Sequence, residues 1–123
     1  MHKFDIQYLR SMNNHINTSV MHNLKSNFDR FFNITKFVFK NRINSFDNFF
    51  PYRNKPKMSD CQIIALSITG ESLGIDSESF LWGKLKSEHS QDFPNLIDRS
   101  NFNRRRKRLY PFIEDLNKSI ASI

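Results

Sequence analysis

The chain has 123 residues, a formal net charge of +7 at pH 7 and 38% apolar residues. This length suits one domain with one hydrophobic core. The single cysteine, Cys61, excludes an internal disulfide, and the lack of an apolar run of about 18 residues excludes a membrane-spanning helix. Because there is also no signal-type start, we expect a protein of the reducing cytoplasm that contacts no membrane.

The composition favours helices over strands. Thirteen phenylalanines provide bulky core material, whereas only three glycines and four prolines interrupt the chain. Because sandwiches and barrels need many tight turns, this scarcity of breakers predicts a small all-α domain. We divide it into an N-terminal helical segment at 1–50, a basic proline-containing linker at 51–58 and a trihelical, helix-turn-helix-like region at 59–123.

The N-terminal segment carries apolar residues at helical spacing. Asparagines weaken this pattern in 1–18, whereas 20–50 is strongly amphipathic and predicts one long helix or two. Five phenylalanines lie off the main apolar stripe: Phe32, Phe37, Phe39, Phe49 and Phe50. They must be covered by the rest of the domain or, as the alternative, by a second copy in a homo-oligomer.

The linker has two prolines and three basic residues in 51–57, which predicts an extended connector. Lys55 and Lys57 are candidates for phosphate contacts, since basic arms follow a nucleic-acid backbone or enter a minor groove. The alternative for these side chains is plain solvation.

The region after the linker predicts two further helices. Ser59 and Gln62 form a capping box, so a helix should begin there, and Gly74 is well placed to end it. The apolar density of this helix predicts that it is the central core helix. Asp76 or Ser77 then opens a shorter helix. Its apolar face comprises Phe80, Leu81 and Leu85, with Trp82 as an anchor.

The last predicted helix is strongly basic. Residues 99–108 place six positive charges in ten positions, with no acid among them. Such a concentration on one element indicates a binding surface for a polyanion, and nucleic acid is the first candidate. Ser100 is the expected N-cap, and Pro111 should break the helix around Tyr110 and leave a C-terminal turn or two.

The apolar and charged residues of this helix fall on different faces. Phe102, Leu109, Ile113 and Leu116 define a buried face. At about 100° per residue, the opposite face carries the leading candidates for DNA contacts, namely Asn103, Arg104, Lys107 and Arg108. Arg105 and Arg106 lie at the borders of the buried face, from which their charged ends should swing outward to phosphates. Arg99 and Ser100 complete the candidate set.

Three stretches carry a resemblance to a known family. They are 55–60 leading into Ile63-Ile64-Ala65-Leu66, 73–78, and 99–106 followed by Leu109. Over roughly 55–117 they look like the N-terminal region of transposases of the insertion-sequence-982 family. In that family this helical region precedes an RNase-H-like catalytic domain whose acidic triad holds two metal ions. The triad has no counterpart here, so the resemblance implies recognition of transposon ends by a chain that is not itself an enzyme.

The residues themselves predict no active site, metal site or cofactor. Glu114 and Asp115 are adjacent, but neighbouring helical positions point about 100° apart, and Cys61 has no partner at a zinc-finger spacing. The expected partner is therefore double-stranded DNA. The alternatives are a solvated helix end, an RNA-binding module and a helical oligomerisation or interaction module.

Overall fold

A computed structural model describes residues 24–121 of the chain. Within this range the fold is all-helical, with five helices and no strand. They are α1 (Leu24–Val38), α2 (Asp60–Ser72), α3 (Glu78–Glu88), α4 (Arg99–Arg108) and α5 (Tyr110–Ala121). The predicted all-α fold is confirmed for this part of the chain. The helical pattern in 1–18 lies outside the described residues.

Helix α2 is the element around which the others pack. It contacts α1, α4 and α5. Its residues Ile63, Ile64, Ala65 and Leu66 are each 0% exposed, and they succeed one another around the full turn of the helix. A helix that is apolar on all sides must be surrounded by other elements, which confirms the predicted central core helix.

The ends of α2 follow the predicted local chemistry. Ser59 Oγ accepts a hydrogen bond from the backbone N–H of Gln62 at 3.1 Å, and Gln62 Oε1 accepts one from the N–H of Ser59 at 2.8 Å. Gly74 follows the C-cap with a φ of +74°, the left-handed region in which a side chain is disfavoured. Both predicted boundaries are confirmed.

The segment after α1 differs from the prediction. Helix α1 ends at Val38, and residues 39–59 form turns and extended chain instead of a second helix. Asn44 Oδ1 accepts hydrogen bonds from the N–H groups of Phe46 and Asn48, at 2.9 and 3.1 Å. Asparagine side chains that bond nearby backbone in this way compete with helix formation, so the apolar spacing alone was misleading.

The surplus phenylalanines pack largely within the domain. Phe39 is 1% exposed, and the rings of Phe49 and Phe112 stack with centroids 4.0 Å apart. The edge of Phe39 also meets Phe112 at 5.8 Å. Aromatic residues of α5 and of the segment 39–50 thus cover one another, as the first of the two predicted alternatives requires.

Helix α3 begins as predicted but exposes one residue of its expected apolar face. Ser77 is the N-cap and accepts from the N–H of Phe80 at 3.2 Å. Leu81, Trp82 and Leu85 are buried, whereas Phe80 is 54% exposed. At about 100° per residue the three buried residues share one side of the helix and Phe80 faces away from it, so its assignment to the core was wrong.

The break between α4 and α5 is confirmed. Arg108 ends α4, Leu109 is its C-cap, and α5 begins at Tyr110. Pro111 has no N–H to donate to the carbonyl of Lys107, which ends the hydrogen-bond ladder. Helix α5 has 12 residues, three turns rather than the predicted one or two, because Ile113 and Leu116 give it a buried side of its own.

The two glycines at Gly74 and Gly83 should respond to alanine with opposite signs. Gly74→Ala forces a side chain into the left-handed region and should lower the free energy of unfolding by roughly 1–2 kcal/mol. Gly83 lies in α3, where an added Cβ meets nothing within 4 Å, so Gly83→Ala should raise it by about 0.5–1 kcal/mol. Urea denaturation of the two variants measures both; equal signs would contradict the described backbone.

Candidate nucleic-acid interface

The N-terminus of the basic helix α4 is capped by a carboxylate. Asp98 Oδ1 accepts from the N–H of Asn101 at 2.8 Å, and Asp98 Oδ2 accepts from the Asn101 side chain at 3.0 Å. Ser100, the expected N-cap, is instead an exposed residue of the first turn. The expectation was wrong because an aspartate two residues earlier provides the stronger, charged cap. It also places a negative charge where a phosphate would otherwise bind the helix terminus.

The rotation of α4 about its axis is fixed by its apolar residues. Phe102 is 1% exposed and its ring lies 4.6 Å from that of Trp82, while Leu109 is 0% exposed. The indole N–H of Trp82 also donates to the carbonyl of Ile97 at 3.1 Å, in the connector that leads into α4. The predicted buried face is confirmed, and the opposite face is therefore directed away from the core.

Four cations of α4 are exposed, namely Arg99, Arg104, Lys107 and Arg108. Asn103, predicted on the same outer face, is half-buried because its Oδ1 accepts from Arg106 Nη2 at 3.0 Å. Arg104 Nη2 donates a hydrogen bond to Asn101 Oδ1, one turn earlier in the helix. Because this amide oxygen carries no net charge, the contact does not neutralise the positive charge of Arg104. The outer face of α4 is thus cationic over its C-terminal half, from Arg104 to Arg108.

Arg105 points inward, not outward. Its Nη2 donates to Asp60 Oδ1 at 2.8 Å and its Nη1 to the carbonyl of Met58 at 2.7 Å. The side chain is 13% exposed, and Asp60 is 0% exposed. The expected phosphate contact is therefore replaced by a buried ion pair, and Arg105 connects α4 to the start of α2.

Asp60 is the centre of a larger buried network. Its carboxylate also accepts from the Tyr52 hydroxyl at 2.6 Å and from the backbone N–H of Phe49 at 2.9 Å. Its own N–H donates to Asn48 Oδ1 at 2.7 Å. Burial raises the pKa of Tyr52, and the hydrogen bond to Asp60 and its negative charge raise that pKa further. One carboxylate thus joins α2, α4 and the segment 48–52.

Arg106 makes the second ion pair of α4. Its Nε donates to Glu78 Oε2 at 3.1 Å, with the two side chains 31% and 25% exposed. This contact ties α4 to the first turn of α3. Together with Arg105, it removes two of the six charges of α4 from the set available to a ligand. Arg105 and Arg106 were both predicted at the border of the buried face, but no local pattern in the sequence identifies their distant partners.

Arg108 is exposed and lies against aromatic rings. Its guanidinium carbon is 3.9 Å from the centroid of Phe50 and 5.6 Å from that of Tyr52. A guanidinium held over an aromatic face is attracted by the ring quadrupole and keeps its N–H groups at the ring edge. These rings therefore orient the last cation of the outer face, a role that Phe50 and Tyr52 did not show in the sequence.

The linker brings its lysines toward α4. The side chain of Asn95 donates to the carbonyl of Lys57 at 3.0 Å and to Gln62 Oε1 at 3.2 Å, which fixes the linker against the connector before α4. Lys57 lines a cleft of about 420 Å³ together with Asn101 and Arg105 of α4. Lys55 and Lys57 are both exposed. Residues 51–58 contain neither helix nor strand, and Lys57 lies beside the basic helix.

The chemical groups weighed for catalysis lie apart from this surface. Cys61 is fully buried, and burial followed by the charges of Asp47 and Asp60 raises its pKa to about 12. It packs as a small apolar residue, as predicted. Glu114 and Asp115 are exposed on α5. Within residues 24–121 no three His, Cys, Asp or Glu side chains form a group that could hold a metal ion.

No helix in the described part of the chain combines the length and the hydrophobicity that spanning a bilayer requires.

In the comparisons with known proteins, no family model, no curated protein and no solved structure matches the chain. The geometry of the exposed cations therefore carries the functional argument.

The buried Asp60–Arg105 pair should dominate the response to substitution in α4. Asp60→Ala leaves Arg105 without its counter-charge and should lower the free energy of unfolding by about 3–5 kcal/mol. The double variant Asp60→Ala/Arg105→Met should recover part of that loss, because it removes both buried charges. Arg104→Ala, the exposed neighbour, should change it by less than about 0.5 kcal/mol. Urea denaturation of the wild type and these three variants measures the effects, and a loss in Asp60→Ala no larger than that in Arg104→Ala would contradict the pair.

Cys61 should make the fold sensitive to alkaline pH. In the unfolded chain its thiol ionises near pH 9, whereas the folded thiol ionises only near 12. Between these values the unfolded state binds fewer protons, so the free energy of unfolding should fall by up to about 1.4 kcal/mol per pH unit. Urea midpoints from pH 8 to 9 measure the onset of this slope, before Tyr52, whose pKa is raised from an ordinary value of 10.0, contributes. Cys61→Ala should flatten it, and an unchanged slope would show that another group titrates.

Proposed function

We propose that the chain binds double-stranded DNA, with the outer face of α4 as the contact surface. The observation that carries the proposal is the division of the basic run: Arg105 and Arg106 pair with carboxylates of the fold, while Arg99, Arg104, Lys107 and Arg108 are exposed on a docked helix. Exposed cations on one rigid element that make no ion pair within the described residues form the electrostatic footprint of a polyanion-binding surface.

The dimensions of α4 suit a duplex. Ten residues at 1.5 Å each give a rod of about 15 Å, and the major groove, about 12 Å wide, accepts a helix. Arg104 and Lys107 lie one turn apart near the middle of the outer face. An arginine fork can bond O6 and N7 of one guanine, so Arg104 is the candidate for base reading. Lys107, Arg108 and Arg99 are the candidates for phosphate contacts.

The linker lysines extend the same surface. Lys57 shares a cleft with α4, and Lys55 lies two residues before it. Duplex DNA carries one negative charge for every ~1.7 Å of its axis, so a surface that continues beyond the helix meets further phosphates. Lys55 and Lys57 with the four exposed cations of α4 make six candidate contacts.

The finer proposal is that the duplex is a transposon end. It is supported by the resemblance of 55–60, 73–78 and 99–106 to insertion-sequence-982 transposases. On this proposal the chain recognises the transposon end and does not cut the DNA strands. Selection from a random pool of duplexes tests this point. We expect one recurrent sequence motif, whereas recovery of unrelated sequences would limit the function to general DNA binding.

A salt titration of duplex binding tests the main proposal. Five phosphate contacts, from Lys55, Lys57, Arg99, Lys107 and Arg108, predict a slope of log affinity against log salt of about −4.5, from about −0.9 per contact. The triple variant Arg104→Ala/Lys107→Ala/Arg108→Ala removes two of these contacts, so it should flatten the slope by about 2 and leave the thermal midpoint within a few degrees.

The control for this titration removes three lysines elsewhere: Lys25→Ala/Lys86→Ala/Lys118→Ala, on α1, α3 and α5. It loses the same charge and should keep the wild-type slope. A slope unchanged by the α4 substitutions would show a solvated helix end. Tighter binding to duplex RNA would support the RNA-binding alternative, and self-association without DNA binding would support the oligomerisation alternative.

A further inference from the structure

The loop 44–48 is tightly closed by its own hydrogen bonds. The N–H of Asn44 donates to the carbonyl of Asn48 at 2.9 Å, and the N–H of Asp47 donates to the carbonyl of Asn44 at 3.0 Å. Asn44 Oδ1 also accepts from the N–H of Phe46 at 2.9 Å. Asp47 has a φ of +65°, the left-handed conformation that lets the chain reverse within these few residues. The loop is therefore a defined structure with Phe46 at its tip.

The same loop is fastened to the N-terminus of α2. The N–H of Cys61 donates to the carbonyl of Asp47 at 3.2 Å, and the N–H of Asp60 donates to Asn48 Oδ1 at 2.7 Å. The second bond involves Asp60, the centre of the buried network that also holds Arg105. The tip of the loop and the basic helix are thus positioned by one rigid support.

Phe46 is an apolar side chain that contributes little to the packing of the fold. It is 55% exposed, so it adds little to the core. The ammonium group of Lys55 lies 4.9 Å from the centroid of its ring, on a surface that the linker makes basic. Minor-groove proteins combine basic side chains with an apolar wedge, phenylalanine among others, that they insert between base steps. Phe46 and Lys55 provide these two kinds of side chain next to each other.

The surface from Phe46 to α4 is continuous. Phe46, Lys55, Pro56 and Lys57 line one cleft of about 290 Å³. Pro56 and Lys57 also line the cleft of about 420 Å³ that reaches Asn101 and Arg105 of α4. One carboxylate lines each cleft, Asp47 in the first and Asp98 in the second. A ligand that contacts α4 and follows Lys57 and Lys55 therefore arrives at Phe46.

We propose that Phe46 is a DNA-deforming wedge that enters between two base pairs from the minor groove while α4 contacts the adjacent groove. Lys55 and Lys57 hold phosphates on the approach. Insertion of an apolar side chain partly unstacks one step and kinks the duplex by about 20–90° toward the major groove. This inference rests on the proposed duplex binding and adds to it a deformation that cationic contacts alone do not produce.

Phe80 provides the matched control. It is exposed to the same extent, 54%, but it lies on α3 and lines neither of the two clefts that connect α4 with Phe46. Phe46→Ala and Phe80→Ala remove the same ring from two exposed positions. Phe46→Leu keeps an apolar wedge at the first position and should rescue its loss.

The experiment measures deformation and binding separately. A duplex labelled at both ends for energy transfer reports the kink, and 2-aminopurine within the duplex reports unstacking. The wild type, Phe80→Ala and Phe46→Leu should shorten the end-to-end distance and raise the 2-aminopurine emission. Phe46→Ala should do neither, while it keeps the salt slope of the wild type, because the phosphate contacts are unchanged.

A second measurement uses a duplex with one mismatched base pair, at which the stack is already weakened. The wild type should bind it at least about tenfold more tightly than the matched duplex, because less unstacking is required. Phe46→Ala should lose this preference.

The outcomes separate the two proposals. The wedge is overturned if the wild type binds the duplex with the α4-dependent salt slope but does not kink it, or if Phe46→Ala still kinks it. In both cases the proposed duplex binding stands. No duplex binding by the wild type would overturn both proposals. Self-association that is abolished by Phe46→Ala alone would assign Phe46 to a protein contact and also overturn the wedge.

Discussion

The buried carboxylate of Asp60 is the constraint on which the arrangement of the domain depends. A charge that is 0% exposed is strongly destabilising unless it is paired and hydrogen-bonded, and here Arg105, Tyr52 and the backbone of Phe49 provide those partners. The partners come from two parts of the chain outside α2, namely the segment 48–52 and α4. Satisfying one charge therefore sets the position of α4 and of the segment 48–52 relative to α2, and everything on the cationic surface follows from that placement.

The basic run of α4 divides into two populations that its sequence does not distinguish. Arg105 and Arg106 stabilise contacts to Asp60 and Glu78, and their chemistry belongs to the fold. Arg104 and Lys107 face outward, and the fold does not require them. The alternative of a merely solvated helix end accounts for the exposed cations equally well in isolation. It gives no reason for the aromatic support of Arg108 or for the linker lysines beside the helix.

Local chemistry was predictable, and distant pairing was not. The capping box at Ser59, the stop at Gly74 and the break at Pro111 each depend on a few adjacent residues, so the sequence sufficed. The loop 44–48 was predicted as helix from its apolar spacing, and this was wrong because the side chain of Asn44 bonds nearby backbone N–H groups. The inward turn of Arg105 could not be foreseen, since its partner lies 45 residues earlier in the chain. The outer face of α4 was predicted because helical periodicity alone determines it.

The docking of α4 through Phe102 and Leu109 has a consequence for how the domain can diverge. The side chains that hold the helix and those that it presents occupy different positions of one short segment, 99–109. Substitutions of the outward-facing residues change which molecular surface the helix fits, and they leave its packing against the core intact. Descendants of this chain can therefore acquire new recognition preferences at little cost to folding, so long as the few inward residues persist.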